Sequence, residues 1–186
     1  MTDKQPSVWV ISGPSGVGKG TVCNRLRELR PDVHYSVSMT TRARRPGEQE
    51  GVSYHFVTPE RFEDLVAQKQ FLEHALVHRS HYYGTPRAPV DKAVAAGIPV
   101  VLEIDLQGAR QVKANMPEAQ LVFLEPPSWD ELVDRLRGRG TEDEATQKRR
   151  LETAKQELDA RQEADHIVEN AVVEDTVATL IDLMGL

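Results

Sequence analysis

Apolar positions along the chain recur at two spacings, and the alternation between those spacings predicts the architecture. Val8-Trp-Val-Ile11 is a short β-branched and aromatic run, flanked by Ser7 and Ser12 and closed by Gly13, which reads as a buried strand. From Lys19 to Leu29 the apolar residues fall at Val22, Leu26 and Leu29, the three- and four-residue spacing of one helix face. The same pair returns twice. Ile98 to Ile104 and Gln120 to Leu124 are apolar strands, each followed by a helical segment. Strands alternating with helices in this order predict an α/β fold, a parallel sheet flanked by helices.

Helix starts are signalled at Ser128-Trp-Asp-Glu131 and Thr141-Glu-Asp-Glu144. In each, a hydroxyl and a carboxylate three residues on can satisfy each other's backbone N–H groups. Between them, the glycines of Arg137-Gly-Arg-Gly140 interrupt the pattern and predict a flexible junction. Val173, Val177, Leu180, Ile181 and Met184 mark a last helix. The stretch from Val33 to Tyr83 differs: Pro46, Gly47, Gly51 and Pro59 punctuate it, Tyr54 and Phe56 alternate with polar residues, and Phe62, Leu65 and Val66 fit one short helix. The expected organisation is one domain: a core of residues 1–35, 84–137 and 151–186, a small α+β insertion at 36–83 and a short helical segment at 138–150.

Composition narrows the chemistry. With 39% hydrophobic and 28% charged residues the chain reads as a soluble globular protein. The residues before Ser7 have no apolar core, and Val8 to Ile11 is far too short to span a bilayer, so no membrane partner is expected and the cytoplasm is the expected compartment. The single cysteine, Cys23, falls inside the first helical pattern as a small buried thiol, in keeping with a reducing compartment. A net charge of −6 argues against non-specific nucleic-acid binding. Positive charge is instead clustered at Arg42, Arg44 and Arg45, at Arg135, Arg137 and Arg139, and at Lys148, Arg149 and Arg150. Taken alone, such clusters read as solvated faces.

The segment Gly13-Pro14-Ser15-Gly16-Val17-Gly18-Lys19 follows the first strand and opens the first helix, the context in which G-x-x-x-x-G-K is a phosphate-binding loop. Its glycines let backbone N–H groups converge on an anion, the helix dipole adds positive potential, and Lys19 would neutralise the β- and γ-phosphates of ATP. The hydroxyl residue usual after the lysine is Gly20 here, with Thr21 next, so Mg²⁺ is expected at Thr21, directly or through water. This Gly-Lys-Gly-Thr variant resembles the one adenylate kinases carry.

The acceptor is written in the insertion. Ser36-Val-Ser38-Met-Thr-Thr-Arg42-Ala-Arg-Arg45-Pro-Gly-Glu48 and Gly51-Val-Ser-Tyr54-His-Phe56 resemble the monophosphate-binding segment of guanylate kinases. The resemblance continues through Phe71-Leu-Glu73, His81-Tyr-Tyr83-Gly-Thr85, Asp105-Leu-Gln-Gly108, Pro126-Pro-Ser128 and Arg135 to Glu142, nearly the whole chain. It implies ATP and GMP as substrates in purine nucleotide metabolism. Arg42, Arg45, Tyr54 and Tyr83 would hold the GMP phosphate and Ser38, Glu73 and Thr85 would read the base, with Glu48, Glu103 and Asp105 completing the GMP-binding set. Arg135, Arg139 and Arg150 would reach the phosphates when the segment 138–150 closes as a lid, and Asn170 would lie near the adenine ring. The chain departs from the family's usual pattern at Arg44, at Glu103 in place of aspartate and at Glu169.

Those residue types suit guanine on chemical grounds as well: N1–H and N2–H₂ are adjacent donors for a carboxylate, and O6 accepts from a hydroxyl. Seen singly, Glu73 also fits an exposed strand carboxylate, and Tyr54 and Tyr83 fit core aromatics. The acceptor phosphate is largely ionised near neutrality, so the transfer needs no general base, only two polyanions held in line amid Lys, Arg and Mg²⁺. Two other readings fit parts of the pattern: a guanylate-kinase-like interaction module without catalysis, and a kinase of another small molecule. The intact loop weighs against the first and the guanine-reading set against the second.

Overall fold

The computed structural model describes residues 7–77, 80–137 and 144–186, and only the backbone over 144–149. Five strands, β1 (Val8–Ser12), β2 (His34–Tyr35), β7 (Val100–Glu103), β8 (Gln120–Glu125) and β9 (His166–Glu169), form a parallel sheet in the order β2-β7-β1-β8-β9. In β1, alternate residues face opposite layers. Trp9 and Ile11 pack with α1 (Lys19–Leu29) and α7 (Val173–Met184) through Val22, Leu26, Val177 and Leu180. Val8 and Val10 join Val90 of α3 (Arg87–Ala95) and Ala109 and Val112 of α4 (Leu106–Asn115). A strand covered on both faces carries an unbroken apolar run, which is why β1 reads as one.

The strand expected at Ile98 to Ile104 is shorter. Gly97 adopts φ +72° after α3, Ile98 donates back to the Ala93 carbonyl at 2.9 Å, and pairing with β1 begins at Val100. The apolar character of Ile98 serves a helix end rather than a ladder.

The chain between the core strands builds a second, four-stranded sheet, in the order β4-β3-β6-β5, from β3 (Met39–Thr40), β4 (His55–Phe56), β5 (Phe71–Val77) and β6 (His81–Pro86). The short helix centred on Phe62 is α2 (Pro59–Ala67), capped by the Thr58 hydroxyl. Phe62 is fully buried and stacks on Phe71 at 4.5 Å and on Tyr82 at 5.2 Å, so α2 covers one face of this sheet. The opposite face carries Glu73, Tyr83 and Thr85.

Helix α5 (Trp129–Arg137) begins as its sequence signal predicts, with the Ser128 hydroxyl accepting from the Glu131 N–H at 3.2 Å. Leu132 and Leu136 pack on Ala154 of α6 (Glu144–Asp159). The signal at Thr141 and the glycine junction at 138–140 lie outside the described residues. Among those described, no helix is long and apolar enough to cross a membrane.

Candidate active site

The loop Gly13–Lys19 leaves the C-terminal end of β1, between β7 on one side and β8 on the other. Chain direction across the sheet reverses there, opening a crevice at the strand ends. Gly13 takes φ +145°, and a Cβ there would meet the Leu124 carbonyl oxygen at 2.4 Å, so only glycine lets the loop pass β8 this closely. Gly18 takes φ +101° and begins α1; a Cβ there would stand 2.8 Å from Asn170 Nδ2.

The loop is held from behind by two of the residues expected at the donor. The buried Asn170 amide donates to the Val17 carbonyl at 2.7 Å and accepts from the Thr176 hydroxyl at 2.9 Å. Arg135 donates to the carbonyls of Val17 and Asn170, each at 3.2 Å, and pairs with Glu131 at 2.6 Å. Both side chains therefore fix the path of the loop backbone.

Lys19 Nζ turns back onto the loop, donating to the carbonyls of Gly13 at 2.6 Å and Pro14 at 3.2 Å. Burial pushes its ammonium below the usual lysine range, opposed first by Glu157 and then by Glu103 and Asp105. Glu157, on α6, accepts the Ser15 backbone N–H at 3.1 Å. Burial pushes that carboxyl up, opposed by the Ser15 hydrogen bond and by Lys19. Sequence reasoning misses Glu157. The available signal is its place seven residues after Arg150, two turns along one helix face.

Thr21 is exposed on α1, whereas a Cβ at Gly20 would lie 3.4 Å from Glu103 Oε1. The absent side chain at position 20 thus leaves the helix start open to the Glu103 carboxylate. Solvent reaches Glu103, yet the surrounding walls push its carboxyl above the usual range, opposed first by Lys19 and then by Arg27. The buried Cys23 thiol next to it is pushed well up, chiefly by burial. Glu103, Cys23, Arg27, Tyr35, Ser38 and Tyr54 line a cleft of about 310 Å³ between the core and the second sheet.

Across that second sheet Glu73 of β5 stands opposite Thr85 of β6, and Gly84 stands opposite Met39, the residue after Ser38. Ser38, Thr85 and Glu73 are thereby brought into one row over three strands. Glu73 is buried, and its Oε1 accepts from the Thr85 hydroxyl at 2.6 Å. Burial pushes the Glu73 carboxyl up to about 7; the Thr85 hydrogen bond opposes the shift and Asp105 adds to it. Asp105 caps α4, its Oδ1 accepting from the Gly108 N–H at 2.8 Å.

Further along the same face Tyr54 and Tyr83 meet edge to face at 5.8 Å, with the Arg42 guanidinium 5.5 Å from the Tyr54 ring centre. Arg42 is buried and clamped: Nε donates to the Tyr83 hydroxyl at 3.1 Å, and its two terminal nitrogens donate to Glu48 at 3.1 and 2.6 Å. Glu48 also accepts the Arg45 backbone N–H at 2.8 Å, so its carboxylate organises the arginine loop, while the Arg45 side chain is exposed.

A family model described as guanylate kinase matches residues 5–185. The chain belongs to the guanylate kinase family. It is 58% identical over 94% of its length to the guanylate kinase of Leifsonia xyli subsp. xyli, covering 69% of that protein. With the guanylate kinase of Thermobifida fusca it shares 55% identity, over 98% of this chain and 93% of the other. The crystal structure of guanylate kinase from Anaplasma phagocytophilum is similar at a TM-score of 0.78 and 33% identity, covering 96% of this chain and 84% of that one.

In this guanylate kinase family member three of the predicted residues, Ser38, Tyr54 and Glu103, line the cleft. Lys19, Gly20 and Arg135 belong to the phosphate loop and its supports, Glu73, Tyr83 and Thr85 to the second sheet with Arg42 bonded to Tyr83, and Asp105 follows Glu103 at the end of β7. Arg150 is half-buried on α6, and Arg139 lies outside the described residues.

Proposed function

We propose that the chain transfers the γ-phosphoryl group of ATP to GMP or dGMP, with the donor on the Gly13–Lys19 loop and the acceptor on the face of the second sheet opposite α2. The observation that carries this reading is the buried Glu73–Thr85 pair, a carboxylate and a hydroxyl in the row that ends at Ser38. Guanine supplies two donors to the carboxylate. Adenine has no hydrogen at N1 and would leave a buried acceptor unpaired, a mismatch that can reach about 10⁴-fold to 10⁵-fold in discrimination.

Arg42 and the two tyrosine hydroxyls form the acceptor-phosphate cradle, with Glu48 setting the guanidinium's orientation and Arg45 closing from the exposed loop. Lys19, which donates to the Gly13 and Pro14 carbonyls at the loop, is the cation that would neutralise the polyphosphate of ATP. Residues 36–83 serve as the GMP-binding insertion and 138–150 as the lid, whose Arg139 and Arg150 neutralise the transferring group; an arginine in this role can contribute about 10³-fold or more.

Mg²⁺ suits the donor side because it takes one or two carboxylates and completes its shell with water and phosphate oxygens. Glu103, open to the helix start across Gly20, is the carboxylate that would hold it there, with Thr21 one residue farther along α1. Bound Mg²⁺ would neutralise phosphate charge as it develops. Measuring ADP release with a panel of monophosphates tests the assignment: GMP and dGMP are turned over and AMP is not, and equal rates with AMP would overturn it.

A further inference from the structure

Strand β5 lies at the edge of the second sheet, so one side of its backbone has no strand partner. Helix α4 of the core supplies one. The Gln111 side-chain amide accepts the His74 N–H at 3.2 Å and donates to the His74 carbonyl at 2.9 Å, standing where the peptide of a neighbouring strand would stand. One turn farther along α4, Asn115 donates to the Leu72 carbonyl at 2.7 Å. The residue between these two clamped positions is Glu73.

The same helix face sets the space around the Glu73 carboxylate. A Cβ at Gly108 would come within 2.7 Å of Glu73 Oε2, and Asp105 caps the helix just before it. Asp105, Gly108, Gln111 and Asn115 follow one another at three- and four-residue steps, which keeps them on one side of α4. The cap, the gap and the clamp are thus parts of one rigid element.

We infer that Gln111 is a positioning residue for base selection: it ties the β5 backbone to α4 and so holds the Glu73 carboxylate at a set distance from Asp105. Discrimination by a carboxylate depends on both oxygens being held where two donors arrive together. A strand free to shift lets the carboxylate follow a base that offers one donor. Hypoxanthine is that base, since it keeps N1–H and lacks the N2 amine. A loosened β5 therefore loses GMP affinity and loses preference for GMP over IMP, while the loop that binds ATP is untouched.

This inference rests on the assignment of Glu73 to guanine, and the test separates the two. Steady-state constants are measured for GMP and IMP with wild type, Glu73→Gln, Gln111→Met, which keeps the length and removes both hydrogen bonds, and Gln111→Asn, whose amide is too short to reach. The expected result for both Gln111 variants is an increase of about tenfold in KM for GMP, a GMP-to-IMP ratio of kcat/KM reduced about tenfold, and an unchanged KM for ATP. A ratio within about twofold of wild type in both variants, or an equal loss toward both bases, overturns the clamp. If Glu73→Gln itself keeps the wild-type ratio, the assignment of Glu73 falls; if Glu73→Gln loses it and the Gln111 variants keep it, the clamp alone falls.

Discussion

The carboxylate of Glu157 accepts the backbone N–H of Ser15 at 3.1 Å, across 142 residues of sequence, and its charge is felt by Lys19. An internal anion therefore sits on the loop proposed to bind the anionic chain of ATP. Two negative groups cannot share that place without repulsion in a poorly solvated site. Glu157→Gln keeps an acceptor for Ser15 and removes the charge, so ATP should bind about three- to tenfold more tightly by calorimetry, with AMP unchanged. Weaker binding would mean that Glu157 supports the nucleotide-bound loop instead.

Glu73 has a carboxyl pushed up to about 7, chiefly by burial, and its proposed role at guanine needs it ionised. The sign follows directly. Raising pH through 7 ionises Glu73 and strengthens guanine binding, while the folded state, holding a proton that the unfolded chain releases above its ordinary range near 4.5, loses stability from that range up to about 7. Guanosine, which has no phosphate to titrate, should bind progressively better from about pH 6 to 8 and release protons near neutrality. Calorimetry in buffers of different ionisation enthalpy measures that release, and Glu73→Gln should abolish it.

Lys19→Ala should abolish transfer and leave the fold intact, because Gly13, Gly18, Asn170 and Arg135 still hold the loop once the two Lys19 hydrogen bonds to it are lost. Single-turnover rates together with thermal unfolding decide this. More than a small residual fraction of turnover places Lys19 away from the phosphates.

Arg42→Ala and Arg139→Ala should separate binding from chemistry. Arg42 is held against the second sheet by Glu48 and Tyr83, so in the proposed acceptor role its loss should raise KM for GMP by about tenfold or more. Arg139, if it reaches the phosphoryl group only on closure, should lower kcat strongly with little change in KM for GMP. Near-wild-type kinetics for Arg139→Ala would make it a surface arginine.

Gly13→Ala tests the loop's packing. The added methyl would meet backbone at 2.4 Å in a left-handed conformation, a combination with no cheap escape. A destabilisation of about 2 kcal/mol or more is expected, seen as a fall in Tm of roughly 4–8 °C.

How much of this was legible beforehand differs from element to element. The run Val8 to Ile11, the spacing of Val22 and Leu26 and the cap at Ser128 are local signals, and each predicted its element because hydrogen bonding and burial there act over a few residues. Strand β9 carries only Ile167 and Val168 between polar neighbours, too little for a pattern, and becomes a strand because β8 lies alongside it. Motif spacing marked Lys19, whereas Arg42 and Glu73 were marked only by the resemblance to guanylate kinases; taken alone, Glu73 reads as an exposed strand carboxylate, and it is buried.

The sequence by itself determined the α/β alternation and the glycine loop between β1 and α1, since each depends on residue type at short range, while the acceptor side chains stood out only through the resemblance to guanylate kinases. The tertiary structure alone decided which groups share an environment. It turned Asn170 and Arg135 to the back of the loop, set Glu157 on Ser15, engaged Glu48 with Arg42, and drove the Glu73 carboxyl up to about 7 through burial, against the opposing hydrogen bond from Thr85. Burial and electrostatic coupling depend on distances between atoms far apart along the chain, and those distances do not exist until the layers pack.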